Sequence, residues 1–362
     1  ADGARRQAGA LPNPELSIEA ENAAGTGPYK GADGLETTVS IGQTIELGGK
    51  RSARKAMAGH GQSMARLGQG TAKADVVRKV RIAYANAIAA QEAIDLAQRE
   101  HDLAQDILAG VSRRVEAAAE PLHQRNKAKI ALTSSELALN KAKRMQEAAL
   151  DTLARLTGLP RPASLSAESF YAVKAPDELA VEIEKTFDTQ RLYQDVALRR
   201  SAFDLEKANA VPDPTISVGA RNFREDDENA LVFGVSFPLP VANLNRGNIQ
   251  KASQEVAAAE AVYDRGIRDA YATLKEREYA LQTAYEEAEA MKAIILPQAE
   301  EALKNARRGY DAGAFTYLDV LDAQRTLGDV KTAYLTALRD YHINKAEIDY
   351  LTTPATLSET QQ

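Results

Sequence analysis

An internal repeat limits the folds that this chain of 362 residues can adopt. Residues 12–22 read PNPELSIEAEN and residues 212–222 read PDPTISVGARN, at an offset of 200. Each copy is followed by a second strand-like segment, at 38–47 in the first unit and at 230–239 in the second. Self-similarity at a fixed offset indicates a repeated supersecondary unit. The chain is therefore predicted to contain two similar units, each about half its length.

The strand-like segments of both units alternate between apolar and polar residues. Alternation with a period of two is typical of a strand that has one apolar face and one wet face. Two interpretations remain open: a soluble sheet that covers a core, and membrane strands of about 9–11 residues with a lipid face. In the first unit, Gln43 is the one polar residue on a predicted apolar face. The predicted apolar residues are Leu16, Ile18, Val39, Ile41, Ile45, Leu47, Ile216, Val218, Ala220, Leu231, Phe233, Val235, Phe237 and Leu239.

Most of the first unit beyond its strands is predicted to form two long helices. No proline interrupts residues 50–117, where apolar residues keep a helical spacing. The sequence AAAEPL at 117–122 predicts a break. A second helix then ends near Leu156, because Gly158 and Pro160 follow it.

The second unit follows the same plan. A helix predicted over 246–310 has a kink at Pro297, because proline removes a backbone donor. After a turn, a last helix is predicted to end near Leu351. Asp177 is predicted to cap a helix that reaches about Ala208. The first unit has only a short segment before its first strand, so the matching helix is expected to lie outside this sequence.

Composition and motifs argue against several classes of function. The net charge is −6 and no basic patch is interleaved with aromatic residues, so nucleic acid is not expected as a partner. The absence of cysteine excludes disulfides and thiol nucleophiles. There is no GxSxG, HExxH or glycine-rich phosphate loop, so we expect no enzymatic activity and no cofactor. No apolar run reaches the length of about 20 residues that a transmembrane helix needs.

Four strands are too few to close a membrane barrel. An open sheet in lipid would leave two edges of unpaired backbone groups, each of which costs several kcal/mol in hydrocarbon. Single-chain outer-membrane barrels begin at about 8 strands. If these strands cross a membrane, several copies of the chain must share one barrel.

The repeated plan of two strands, a long helix, a turn and a helix resembles that of the TolC-like outer-membrane efflux channels. The motifs that carry the resemblance are PNPELSIEAEN (12–22), QTIELGGKRSAR (43–54) and GAFTYLDVLDAQRTL (313–327). It covers essentially the whole chain and is strongest for the outer-membrane component of heavy-metal cation efflux systems of the cobalt–zinc–cadmium type. It implies a mainly α fold with a membrane β-barrel contribution. Three chains would share a 12-stranded barrel, and long antiparallel coiled helices would form a periplasmic α-barrel.

The resemblance assigns each part of the chain to a region. The outer-membrane strands are expected in 12–47 and 212–240. The periplasmic α-helical barrel is expected to contain 50–157, 177–209 and 245–352. The equatorial connections are expected at 158–176 and 353–362. On this basis Phe233, Val235 and Phe237 should face lipid, and Val232, Gly234 and Ser236 should face the lumen.

The resemblance also implies a function and partners. The chain would be a homotrimeric, passive exit duct in the outer membrane of a Gram-negative bacterium, surrounded by outer-membrane lipid and extending into the periplasm. It would conduct heavy-metal cations delivered by an inner-membrane efflux pump and a periplasmic adaptor (membrane fusion) protein. Two alternatives stay open: a related duct for drug efflux or type I protein secretion, and a soluble coiled-coil scaffold.

Two aspartates beside the second turn are candidate pore residues. Asp319 and Asp322 lie three residues apart on one predicted helix face, which Thr326 and Asp329 extend. A solvated helix face is the ordinary meaning of such charges. The resemblance implies instead that both line the constricted periplasmic entrance, where threefold symmetry makes each a ring. Such rings attract cations, and some carboxylates in them should have raised pKa values.

The two helix turns are candidate contacts for the adaptor. The resemblance implies this role for the tip formed by Gly313, Ala314 and Phe315. The turn at Pro121 and Leu122 is expected to play the same part, although it lacks the glycine and the paired aspartates of the second turn.

One stripe carries residue types that bind metals. Met57, His60 and Met64 lie at positions i, i+3 and i+7 of a predicted helix, and Met and His are suitable ligands for Cu(I). Ordinary helix packing is strongly favoured, because a single stripe of this kind often arises without a metal. No metal site is therefore assigned.

Overall fold

The computed structural model describes residues 1–177 and 181–355, so the predicted helix 177–209 and the predicted connection 353–362 fall partly outside the described residues. The chain divides into two compact units, Ala1–Gly70 with Phe187–Arg268 and Thr71–Thr186 with Asp269–Gln362. The strands are β1 (Glu15–Glu21), β2 (Glu36–Thr44), β3 (Thr215–Phe223) and β4 (Glu228–Ser236). The α-helices are α1 (Asp2–Ala8), α2 (Lys50–Glu116), α3 (Leu122–Thr157), α4 (Glu168–Tyr171), α5 (Phe187–Asn209), α6 (Arg246–Ala290), α7 (Leu296–Asp311) and α8 (Tyr317–Leu351).

The long helices of the first unit of the repeat form where the sequence predicts them. α2 continues for 67 residues and α3 for 36. Gly158 ends α3 in a left-handed conformation with φ of 69°, and its N–H donates to the carbonyl of Ala154 at 2.9 Å. Glycine adopts this conformation without a Cβ clash, which is why it commonly ends helices.

The helix predicted over 246–310 is interrupted next to Pro297, as expected. Residues Met291–Ile295 form a single π-helical turn between α6 and α7. Proline has no N–H, and its ring clashes with the carbonyl four residues earlier, so regular α-helical bonding cannot pass this point. A π-helical turn is one way in which a helix accommodates such a local disruption.

The prediction that Asp177 caps α5 is wrong, because α5 begins at Phe187. Before it, Ile183–Lys185 form a 3₁₀ turn, and Thr186 pairs with Pro354 in an isolated antiparallel bridge. Ile183 is 1% exposed and packs in a core cluster with residues of α6 and α8. Burial of this side chain and the bridge hold the segment in a tight and then extended path that a continuous helix could not follow.

The four strands form one antiparallel sheet in the order β1-β2-β3-β4. Among the described residues, β1 and β4 are paired on one side only, so they are the edges of the sheet. The seam between β2 and β3 joins the first repeat to the second. β4 ends at Ser236, earlier than the predicted segment 230–239, because Pro238 cannot donate to a strand ladder.

A buried ionic contact fixes the start of α2 against the sheet end of the second repeat. Lys50 is 8% exposed, and its Nζ lies 2.6 Å from Asp213 Oδ1 and 2.5 Å from the Val211 carbonyl. The N–H of Leu47 donates to the same carboxylate oxygen at 2.7 Å. The direction of the chain between β2 and α2 is therefore set by contacts to the segment that precedes β3.

Candidate functional site

All the ionisable residues of the strands lie on one face of the sheet, called here the polar face. The register shows this directly, because Glu19 pairs with Thr38, Thr38 pairs with Arg221, and Arg221 pairs with Ala230. The opposite face, called here the apolar face, has no ionisable side chain on any strand. The ionisable residues of the polar face are Glu15, Glu19, Glu21, Glu36, Arg221 and Glu228.

The apolar face is not covered by any of residues 1–177 and 181–355 of the single chain. Its large side chains are between 44% exposed at Val39 and 76% exposed at Phe233. Leaving a side chain of this size half in water costs on the order of 1 kcal/mol, so the face is suited to apolar surroundings. These side chains are Leu16, Ile18, Val39, Ile41, Ile216, Val218, Leu231, Phe233 and Val235.

Gln43 lies on the apolar face, as do three other uncharged polar residues, Thr37, Asn222 and Asn229, and it is satisfied by local hydrogen bonds. Its Nε2 donates to the carbonyls of Pro12 and Thr44, both at 3.0 Å. The amide is thus bound to backbone near the sheet end, which lowers the cost of its position on an apolar surface.

The polar face contains an ion-pair cluster that spans three strands. The guanidinium of Arg221 lies 3.0 Å from carboxylate oxygens of Glu21 and Glu36, and its Nε donates to Thr38 Oγ1 at 2.8 Å. The face is also closely packed in places, since a Cβ on Gly219 would lie 2.5 Å from the Val39 carbonyl. One sheet thus presents a charged, hydrogen-bonded face and an uncharged one.

The turn between α2 and α3 forms the first helix tip. The N–H groups of Ala119 and Glu120 donate to the Arg114 carbonyl at 2.8 and 3.2 Å. Ala118 has a left-handed φ of 58°, a conformation that costs an alanine roughly 1–2 kcal/mol. Leu122, at the start of α3, is 56% exposed.

The turn between α7 and α8 forms the second tip and repeats the same backbone pattern. Here Ala314 and Phe315 donate to the Gly309 carbonyl at 2.8 and 3.1 Å, and Gly313 takes the left-handed position with φ of 78°. The two turns are therefore equivalent in backbone geometry, although only the second has glycine. Phe315 is 49% exposed at its end.

Arg114 connects the two tips. Its Nη1 donates to the Tyr310 carbonyl at 2.9 Å, and its guanidinium lies 4.5 Å from the centroid of the Tyr310 ring. Its Nε lies 3.4 Å from Glu120 Oε1. Burial, together with the adjacent Glu120 carboxylate, raises the pKa of Tyr310 to about 12. Sequence reasoning missed this cluster, because Arg114 and Tyr310 are 196 positions apart and no local pattern links them.

Asp319 is part of a capping box at the start of α8. The backbone N–H and the hydroxyl of Thr316 donate to Asp319 Oδ2 at 2.7 and 2.8 Å. These bonds hold the pKa of Asp319 below its usual range, the opposite direction from that expected for a ring of carboxylates. The spacing Thr-x-x-Asp was available in the sequence and would have identified the cap.

The rest of the predicted aspartate stripe is open to solvent in the single chain. Asp322, Thr326 and Asp329 are exposed, as is Asp319 itself. The structure thus brings the two candidate pore residues onto one exposed face of α8, one beside the other.

The stripe of Met57, His60 and Met64 lies on α2 and is partly buried. His60 Nδ1 is 3.0 Å from Gln194 Oε1 on α5, which engages one of its two ring nitrogens. In residues 1–177 and 181–355 no group of three or more His, Cys, Asp or Glu residues has the geometry of a metal site.

Comparison with known proteins decides the family. In the part of the chain that the structure describes, no helix combines the length and the apolar character needed to cross a membrane. A family model described as outer membrane efflux protein matches residues 1–159 and 184–352. The chain belongs to the outer membrane efflux protein family.

Relatives of this efflux protein include metal-resistance components. It is 30% identical over 352 residues to the cobalt-zinc-cadmium resistance protein CzcC of Cupriavidus metallidurans. The aligned region covers 96% of this chain and 82% of that relative. It is 27% identical over 266 residues to the nickel-cobalt-cadmium resistance protein NccC of Alcaligenes xylosoxydans xylosoxydans, with coverage of 71% and 59%. It is 26% identical over 224 residues to the outer membrane protein TolC of Escherichia coli, with coverage of 55% and 45%.

Solved channel structures share the fold of this efflux protein. CusC superposes with a TM-score of 0.81 at 18% identity, covering 98% of this chain and 86% of that one. VceC of Vibrio cholerae superposes with a TM-score of 0.78 at 19% identity, covering 98% and 90%. The predicted mainly helical fold with four antiparallel strands per chain is confirmed.

The family membership also confirms the predicted class of function and location. The chain is an outer-membrane efflux protein that extends into the periplasm, and it is an exit duct by family. Members of the family are outer-membrane components of tripartite efflux systems and form trimeric channels. Its relatives are efflux ducts rather than enzymes.

Proposed function

We propose that this chain is the outer-membrane duct of a tripartite system that expels heavy-metal cations, working with an inner-membrane pump and a periplasmic adaptor protein. The observation that carries the proposal is the 30% identity to a cobalt-zinc-cadmium resistance protein across 96% of the chain. The duct itself is passive: it supplies a closed wall, a polar lumen and a narrow entrance. Residues 12–47 and 212–240 contain its outer-membrane strands, and 50–157, 177–209 and 245–352 its periplasmic helices.

The two faces of the sheet support a wall between lipid and water. The uncharged apolar face suits the hydrocarbon layer, and the polar face, with its six ionisable groups, suits a water-filled lumen. Because no other described segment pairs with the outer edges of β1 and β4, the wall closes only when copies of the chain pair with each other. A homotrimer supplies those partners.

A stripe on α3 supports the same assembly. Leu122, Ile130, Leu137 and Met145 are each more than half exposed and recur every seven or eight residues, which is about two helical turns. The other side of α3 packs on α2 through a cluster that contains Ala83, Ala87, Leu150 and Leu153. The uncovered stripe is available for the neighbouring copy in the trimer.

The exposed aspartates of α8 support a cation-attracting entrance. In a homotrimer, Asp322 becomes a ring of three carboxylates and Asp319 a second one that is also engaged in capping. Asp322→Asn should therefore lower the cation preference of the channel in planar bilayers without loss of the trimer. Asp311→Asn, a change at an exposed aspartate on the other side of the same turn, is the matched control. An unchanged reversal potential in the Asp322 variant would remove the pore-lining role.

The exposed apolar side chains at the tips support contact with the adaptor. Phe315 and Leu122 extend from two turns of equivalent backbone geometry, and Gly313, Ala314 and Pro121 shape those turns. An apolar anchor at the centre of a small contact is a common source of binding energy. Phe315→Ser and Leu122→Ser should weaken binding of the trimer to a purified periplasmic adaptor protein, while the trimer remains intact.

The transported class is tested in a strain that lacks this chain. The deletion should be sensitive to cobalt, zinc or cadmium salts, and a plasmid copy should restore growth. Similarity to TolC keeps a duct for drug efflux or type I secretion as the second candidate. Sensitivity to dyes and antibiotics with normal metal tolerance would favour that candidate and overturn the metal proposal.

A further inference from the structure

Equivalent residues of the two repeats differ by a constant residue number within each pair of equivalent strands. β1 and β3 are related by the offset of 200 that the PNPELSIEAEN and PDPTISVGARN segments show. β2 and β4 are related by an offset of 194, because Gly42 pairs with Glu15, and Ser236 pairs with Thr215, the equivalent of Glu15. Each strand of the first repeat therefore has an equivalent in the second, residue by residue.

The seam between β2 and β3 has an equivalent that a single chain cannot form. In this seam the second strand of one repeat pairs with the first strand of the next repeat, with Gly42 opposite Ser217. Adding the offset of 194 to Gly42 gives Ser236 on β4. Subtracting the offset of 200 from Ser217 gives Ser17 on β1. These two strands are the opposite edges of the sheet, so the equivalent seam needs a second copy of the chain.

We propose that β4 of one copy pairs antiparallel with β1 of a second copy, in the register that places Ser236 opposite Ser17 of that copy. The inference rests on the proposed homotrimer and specifies which residues meet across its strand interface. The same register places Val235 opposite Ile18, and Gly234 opposite Glu19, of the second copy.

The faces of the sheet agree with this register. Ser236 and Gly234 lie on the polar face, and so do Ser17 and Glu19. Val235 meets Ile18, and both belong to the apolar face. A slip by one residue would place every polar side chain of one strand against the apolar row of the other. Of the possible registers, only those that differ by an even number of residues keep both faces continuous.

Each seam also contains a glycine at the equivalent pair of positions. In the β2–β3 seam, Ser40 lies opposite Gly219, where a Cβ would be 2.6 Å from the Ser40 Cβ. At the equivalent position of the proposed seam the glycine is on the other strand, because Gly234 lies opposite Glu19 of the second copy. Both seams thus provide a glycine at the equivalent crowded position.

The backbone donors at the end of the seam also agree. The N–H of Ile45 donates to the Pro214 carbonyl at 2.9 Å. The offsets convert this bond into Leu239 N–H donating to the Pro14 carbonyl of the second copy. Leu239 lies past the end of β4 at Ser236, so this bond would extend the ladder beyond the strand of the single chain.

The absence of native cysteine makes the register testable by disulfide cross-linking. In an antiparallel ladder, hydrogen-bonded and non-hydrogen-bonded residue pairs alternate along the strands. Ile45 and Pro214 form a hydrogen-bonded pair, so Gly42 and Ser217, three positions further along, form a non-hydrogen-bonded pair. Cα atoms of such pairs are about 4.5 Å apart, which lies within the range of disulfides. Oxidation of the double variant S17C/S236C should therefore produce covalent dimers and trimers on a non-reducing denaturing gel.

The controls are variants that match slipped registers. E15C/S236C and E19C/S236C should cross-link at least about ten-fold more slowly, because their Cα atoms are farther apart. The single variants S17C and S236C should remain monomeric on the same gel. If S17C/S236C does not fold, E21C/V232C tests the same register at another non-hydrogen-bonded pair, because the register places Val232 opposite Glu21 of the second copy.

The outcomes separate this inference from the proposed trimer. Faster cross-linking of either slipped pair, or no covalent species from both in-register pairs although native mass spectrometry shows a trimer, would overturn the register and leave the trimer standing. A monomeric parent protein in native mass spectrometry would overturn both.

Discussion

At the scale of single residues, Gly309 shows how closely the second tip is packed. A Cβ at this position would lie 2.2 Å from Cδ2 of Phe315, so the ring rests directly on the backbone of α7. The same glycine carbonyl accepts the two hydrogen bonds that close the turn. The Phe315 ring can therefore lie in this position only because Gly309 has no side chain.

Gly309→Ala should destabilise the tip, because the Phe315 ring must move away from the new methyl group. Overpacking of this kind typically costs about 1–3 kcal/mol. Gly110→Ala is the matched control: Gly110 lies inside α2 with nothing within 4 Å of its Cβ position, and alanine there should add up to about 1 kcal/mol of helix stability. Thermal unfolding, together with hydrogen exchange of residues 305–320, would measure the stability of both variants. Equal stability of Gly309→Ala and Gly110→Ala would contradict the packing argument.

Asp319 gives the second tip a dependence on pH. Its pKa in the folded chain is lowered from the ordinary value of 3.8, chiefly by the hydroxyl and backbone N–H of Thr316. A lowered carboxyl pKa contributes stability that is fully present above the ordinary value and is lost as the pH falls through the folded value.

Protection of the backbone amides in the first turn of α8 against hydrogen exchange, corrected for intrinsic rates, should therefore not change between pH 7 and 5, because Asp319 stays ionised over this range. Protection should decrease as the pH falls below about 4. Asp319→Asn should remove this dependence, whereas Asp322→Asn should retain it. The same acid transition in Asp319→Asn would show that another group is responsible.

At the scale of elements, alternate side chains of each strand point to opposite faces of the sheet, one apolar and one polar. β4 illustrates this, because Val235 is 75% exposed on the apolar face while Ser236 lies on the polar face beside Thr215. The cost of leaving the apolar row in water exceeds that of any single hydrogen bond on the other face.

Spin labels on single introduced cysteines should report this difference in lipid. A label at position 235 should be accessible to oxygen dissolved in the membrane, and a label at 236 to a water-soluble nickel chelate. The two sites are adjacent in sequence, so each is the control for the other. Water contact at 235 with lipid contact at 236 would show that the faces are reversed.

At the scale of the whole molecule, the single chain is incomplete as a membrane wall. Within the described part of the chain, its sheet has two unpaired edges, its apolar face is uncovered, and α3 has an exposed apolar stripe. These features have one common explanation in the assembly of several copies with closed symmetry, which removes edges without adding a new fold.

The detergent-extracted protein should therefore be a trimer in native mass spectrometry. Replacing Leu231, Phe233 and Val235 together with serine should abolish membrane insertion, since three apolar contacts with lipid are lost. The matched change of Ser217 to alanine on the polar face should leave insertion unaffected. A stable monomer or dimer in mild detergent would contradict the shared wall.

The sequence alone determined the features that arise from local physical chemistry. Period-two alternation located all four strands and their two faces, and Gly158 and Pro297 ended or interrupted helices where they occur. Such features depend on the conformational limits of one residue or on the spacing of neighbours. The duplication was also visible, because PNPELSIEAEN and PDPTISVGARN retain the same residues at five positions.

Only the tertiary structure decided the features that depend on residues far apart in the chain. α5 begins at Phe187 rather than Asp177, because Thr186 pairs with Pro354. The Arg114 contact to Tyr310 joins two turns that no local pattern relates. The strand register is of the same kind, since the pairing of Gly42 with Ser217 depends on how two repeats meet. Propensity acts within a few residues, whereas these contacts depend on the free energy of bringing distant surfaces together.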